Sequence, residues 1–139
     1  MEPTATVGPT HIGTVTQSPS ECTLDAVDGP ISTGRVSFNA VNDTAVFAGF
    51  DMWRIAEGHS YEELAAAIQE ARRNAEAGGA VISHPEYLSG LIQVQLQPGE
   101  SKVMAGRVQP GTYAIVCIRM FEQVGEPRPF SILGPIEVR

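Results

Sequence analysis

The side chains with most to offer chemically are two cysteines, Cys22 and Cys117, and three histidines, His11, His59 and His84. A cysteine can act as a thiolate ligand, a nucleophile or half of a disulfide, and an imidazole can bind metal or carry protons. Cys117 ends the stretch PGTYAIVC, a turn followed by β-favouring residues. A nucleophilic Cys117 needs a base beside it, and nothing in the sequence supplies one. No two histidines share an i, i+4 or alternating spacing, so convergence on zinc or copper is not expected. His59 before a helix cap and His84 before a proline read as solvent-exposed turn residues.

The acidic residues Glu57, Glu62, Glu63, Glu70 and Glu76 gather around one helical segment. Glu62 and Glu63 complement the positive end of that helix, which accounts for them without catalysis. There is no G-x-S-x-G, H-E-x-x-H or glycine-rich phosphate loop. Enzymatic activity is therefore not expected.

A chain of 139 residues with 42% hydrophobic and 18% charged side chains fits one compact domain. Nine basic against sixteen acidic residues give a net charge of −7, and Arg72-Arg73 is the only adjacent basic pair. No basic patch invites nucleic acid, and no apolar stretch approaches the ~20 residues that span a bilayer. The opening MEPTATVGPTHIG lacks the charged and apolar regions of a signal peptide, so no leader is expected within it. Residues 1–13 are expected to form a flexible tail and 14–139 the folded domain.

The elements that must position these residues are mostly strands. Thr14 to Gln17 and Cys22 to Val27 are short candidates, and Val36, Phe38 and Ala40 share one face of a longer strand ending at Asn42. Ala45 to Ile55, AVFAGFDMWRI, reads as a strand covered on both faces. Its alternation puts Phe47, Gly49, Asp51 and Trp53 on one side and Ala48, Phe50 and Met52 on the other. Ser60-Tyr-Glu-Glu63 is a capping box, and Leu64, Ala67, Ile68 and Ala71 recur at helical spacing until Gly78-Gly79. A helix over about 60–77 follows, with a narrow alanine-rich stripe suited to lying on a sandwich. Strands resume at Leu91–Leu96, Ser101–Val108, Pro110–Cys117 and Ile136–Val138. The expected fold is all-β, an antiparallel Greek-key sandwich with one helical insert.

This order resembles the cupredoxin-like family from about Cys22 onward. The resemblance lies in a strand ending in Asn42, a hydrophobic strand, a helical insert, the LQPGES turn, PGTY with its strand to Cys117, and a last strand after Gly134. Copper-binding members use two imidazoles, a thiolate and a weak axial thioether. The resemblance puts Ala48 at the first histidine, Cys117 at the thiolate, Phe130 near the second histidine and Pro135 near the axial methionine. Ala48, Phe130 and Pro135 offer no side-chain donor, and Met120 cannot replace two imidazoles. A cupredoxin-like scaffold without type 1 copper, and without any metal or other cofactor, is implied.

In such a meander Cys22 starts at the pole where Cys117 finishes. A Cys22–Cys117 disulfide is one reading, and two buried free thiols are the other. The bridge would close a loop of about 95 residues, worth roughly 4–5 kcal/mol in chain-entropy models. Ala48, Met120, Phe121, Phe130 and Pro135 could converge as an apolar partner-binding patch, plain core packing being the alternative.

The function expected is a non-catalytic binding or structural module, extracytoplasmic (secreted, periplasmic or surface-displayed). It would meet a protein partner, assemble with itself in a surface or shell structure, or hold a small apolar ligand. A copper-binding electron-transfer protein with displaced ligands is the alternative.

Overall fold

The computed structural model describes residues 10–26, 31–76, 88–120 and 128–139. Eight strands and one helix follow in the order β1 (Thr10–Gln17), β2 (Cys22–Ala26), β3 (Gly34–Asn42), β4 (Phe47–Ile55), α1 (Tyr61–Glu76), β5 (Leu88–Leu96), β6 (Ser101–Val108), β7 (Gly111–Met120) and β8 (Arg128–Val138). They form two four-stranded sheets, ordered β2-β1-β3-β6 and β5-β4-β7-β8. The expected sandwich with one helical insert is present.

Two expectations need correction. β1 begins at Thr10, inside the stretch 1–13 expected to be a flexible tail, because His11 and Ile12 find places in the sheet. His11 Nδ1 lies 3.2 Å from Ser37 Oγ, and Ile12 is buried. The sandwich is also not purely antiparallel: β1 runs parallel to β3, with Gln17 opposite Asn42. The isolated short strand 14–17 carries no pattern that fixes its direction, so only its partners decide. Gly13 makes its extension possible, since at φ +139° a Cβ there would lie 2.2 Å from the Asp25 carbonyl oxygen.

The main core lies between the sheets and follows the alternation read from β3 and β4. Val36, Phe38 and Ala40 face Phe50, Met52, Ile115 and Tyr113. Each large side chain so buried contributes about 1.5–3 kcal/mol. The other face of β4 and β7 builds a second cluster, in which Trp53, Ile55, Ala114 and Val116 pack under Leu64 and Ile68 of α1. This explains why the β4 and β7 sequences are apolar nearly throughout: both faces are covered.

Local chemistry fixes the ends. Ser60 Oγ accepts the Glu63 amide at 3.0 Å, the expected N-cap, while the Glu63 carboxylate turns to His59 Nδ1 at 2.7 Å rather than back to the cap. The tyrosine of PGTY locks its own turn, because Tyr113 Oη donates to the Gln109 carbonyl and accepts its amide, each at 3.0 Å.

Candidate functional site: the pole of Cys117

β7 is the central positioning element. Its register against β4 places Cys117 opposite Phe50, Arg119 opposite Ala48, and Met120 opposite Phe47. Tyr113, Ile115, Cys117 and Arg119 are all buried, so their alternation gives β7 one continuous inward face. On the facing sheet, the end of β1 and the start of β2 bring Gln17 and Cys22 opposite each other.

Cys22 and Cys117 are joined as a disulfide, with their Cα atoms 6.7 Å apart. Cys117 is fully buried and Cys22 is 8% exposed. The bridge therefore ties the start of β2 in one sheet to the centre of the other. Of the two readings the sequence left open, the bonded pair is the one present.

A second tie runs beside the first. Arg119 is 3% exposed, and its guanidinium donates to Gln17 Oε1 at 3.2 Å, to the Pro19 carbonyl at 2.8 Å, and to the Ser18 carbonyl. Burial of this cation pushes its pKa below the ordinary arginine value, with the nearby Arg72 charge adding to the effect. Gln17, itself fully buried, sends its amide the other way, donating to the Gly49 carbonyl at 2.7 Å. Asn42 closes the third side: its Nδ2 reaches the carbonyls of Val46, Leu96 and Gln97 at 2.8–3.0 Å, and its Oδ1 accepts from Thr44. The pole is thus sealed by a disulfide and three satisfied polar side chains.

The residues proposed for an apolar patch do not all meet here. Ala48 is fully buried in the core and offers no surface. Pro135 stands next to Ile136, which pairs with Tyr113, so it lies at the far end of β7, about 20 Å from Met120 at strand rise. The resemblance misplaces Pro135 because β8 is a long strand, Arg128–Val138, whose register cannot be read from a closing IEV motif alone. Met120 and Phe130 are placed near the Cys117 end by their strands, and Phe121 and His84 lie outside the described residues. Among the described residues, the exposed aromatic at this end is Phe47, 39% exposed, on the outer face of β4.

Among the described residues, the side chains at the positions the resemblance assigns to copper ligands do not form a type 1 donor set. The sulfur at the thiolate position is bonded to a second sulfur, and the side chain of Ala48 carries no lone pair. His11 sits at the start of β1, six residues from Gln17, and His59 sits beyond Ile55, which pairs with Thr112. Both are therefore at the opposite end of the sandwich. Among the described residues, no three His, Cys, Asp or Glu side chains gather as a metal site.

Sequence reasoning missed Gln17 and Arg119. Arg119 carries one signal in hindsight: it falls on the inward alternation Tyr113, Ile115, Cys117, where a cation is out of pattern and demands internal partners.

No protein-family model matches the chain, and no curated protein matches it. Solved structures do. One is dithionite-reduced auracyanin from the photosynthetic bacterium Roseiflexus castenholzii, 18% identical, with a TM-score of 0.50 over 95% of this chain and 99% of that one. Another is auracyanin A, a "blue" copper protein from Chloroflexus aurantiacus, 17% identical, with a TM-score of 0.52 over 95% and 100% of the two chains. This chain has the cupredoxin-like fold.

Proposed function

We propose that this chain is a non-catalytic binding or structural module, a cupredoxin-like scaffold whose metal pole has been replaced by a cross-link. The observation that carries the reading is the Cys22–Cys117 bond: the sulfur a copper ion would need is spent on holding the two sheets together. The fully buried Ala48 beside it and the Gln17–Arg119 contact support the same conclusion, since they fill the pole with packing and hydrogen bonds. An extracytoplasmic home accords with a disulfide, which persists in oxidising compartments. Among the described residues, no helix is long and apolar enough to cross a membrane.

Its work is then to meet a protein partner or a further copy of itself, through the end that carries Phe47. Among the described residues, Phe47 is the exposed large hydrophobic closest in register to the Cys117 pole. Native mass spectrometry of the chain and of Phe47→Ser tests this: the wild type should form an oligomer or retain a partner that the variant loses. Unchanged association in the variant would remove that end from the reading.

The likeness to a blue copper protein favours one second reading, an electron-transfer protein with displaced ligands. Metal analysis after exposure to Cu(II) separates the two.

A further inference from the structure

We propose that this chain associates with further copies of itself edge to edge, the outer side of β6 in one copy pairing with the outer side of β2 in the next. The contact rests on the self-assembly reading of the proposed function but uses a surface apart from Phe47. In the β2-β1-β3-β6 sheet the two outermost strands are β2 and β6. Among the described residues neither has a second strand beside it, so each turns a row of backbone N–H and C=O groups outward. β6 is exposed along most of its length, with Val103 65% exposed.

The two edges carry charge of opposite sign. β6 bears Lys102 and Arg107, both exposed, and Arg35 of β3 stands directly opposite Arg107. Like charges so placed repel. Among the described residues no carboxylate lies within ion-pair distance of either arginine. β2 bears Asp25, and Glu21 immediately precedes the strand; both are exposed and neither has an ion-pair partner among the described residues. An edge of one sign rejects its own kind: β6 against β6 sets cations together, and β2 against β2 sets carboxylates together. β6 against β2 joins opposite signs.

The strand directions agree. β2 is antiparallel to β1, β1 parallel to β3, and β3 antiparallel to β6, so β2 and β6 run the same way. A copy displaced sideways without rotation therefore sets its β2 parallel to β6 of the first. Alignment of Asp25 with Arg107 puts Glu21 beside Val103, next to Lys102. Asp25 and Arg107 then share a face, because Asp25 is in line with Thr14, Asn39 and Val103, and Val103 and Arg107 lie on one side of β6. The two edges bound opposite sides of the sheet, so each pairing leaves one edge of either kind exposed and the contact propagates as an open chain. β2 is five residues long, so the ladder is short and the association depends on the charges.

The test is sedimentation velocity at about 20 mM and about 500 mM salt, between which the Debye length falls from roughly 20 Å to roughly 4 Å. The wild type should form species larger than a dimer at low salt and lose them at high salt. Lys102→Glu/Arg107→Glu and Glu21→Lys/Asp25→Lys should each stay monomeric at low salt. The chain with all four changes has the wild-type net charge and should associate within about threefold of the wild-type affinity. An equimolar mixture of the two double variants should also associate, since it restores the complementarity without the fourfold chain. Amide hydrogen exchange in β2 and β6 should slow as the copies join. A wild type that stays monomeric at low salt would overturn the proposal, as would a mixture that stays monomeric or association without slowed exchange in both strands. Association lost in Phe47→Ser but kept in both double variants would overturn the edge contact and leave the Phe47 end standing.

Discussion

Gln17 and Arg119, 102 residues apart in sequence, meet inside the sandwich with Arg119 Nε 3.2 Å from Gln17 Oε1. The contact joins one sheet to the other and lets a single guanidinium hold the turn between β1 and β2 through the carbonyls of Ser18 and Pro19. Removing the guanidinium strands the buried Gln17 Oε1, so Arg119→Met should cost about 1–3 kcal/mol. Arg119→Lys should recover less than half of that, because an ammonium cannot match the fork of donors. Urea midpoints of the three proteins at constant m-value give the comparison.

The neighbouring tie acts through the unfolded chain. The Cys22–Cys117 bridge spans 95 residues, and its replacement by Cys22→Ser/Cys117→Ser should lower stability by roughly 4–5 kcal/mol in chain-entropy terms. Equilibrium unfolding of the oxidised wild type and the double variant measures the loss. A difference under about 1 kcal/mol would mean that the Gln17–Arg119 contact alone holds the pole.

Asp51 gives the fold a pH dependence. Burial raises its pKa from 3.8 to about 6 on the outer face of β4. The folded chain therefore holds a proton between those values that the unfolded chain has released, so stability declines as pH rises through about 4 to 6. Asp51→Asn should flatten that slope and stabilise the protein at neutral pH by about 1–2 kcal/mol, after allowance for partial solvent screening. Thermal midpoints of both proteins from pH 3.5 to 7.5 show it directly.

The helix is held by its underside. Leu64, fully buried against Trp53 and Ile55, should cost about 2–5 kcal/mol when changed to alanine. Loss of the Ser60 hydroxyl should cost only about 1 kcal/mol. Denaturant unfolding of the two variants checks the order.

Those two helix residues also mark how far the sequence could be read. The period of α1 and its cap placed it within a residue of Tyr61–Glu76, and the alternation through Phe47–Trp53 assigned both faces of β4, because local periodicity carries that information. The bond between Cys22 and Cys117 was legible only as one of two readings. Its decision rests on which strand ends share a pole, a matter of topology. Pro135 was misplaced for the same reason: nothing local tells a long β8 from a short one, and the error moves a residue the full length of the sheet. Gln17 and Arg119 escaped because their spacing in sequence bears no relation to their contact, and each is a polar residue that the core accepts only in the other's presence.

A pole closed by a sulfur bridge in place of a metal should take up no copper. The most direct measurement is to add Cu(II) to the oxidised protein, remove excess ion, and record the visible spectrum and bound metal together. No intense blue band and no retained copper at stoichiometric level are predicted. A blue charge-transfer band with one equivalent of bound copper would contradict the claim.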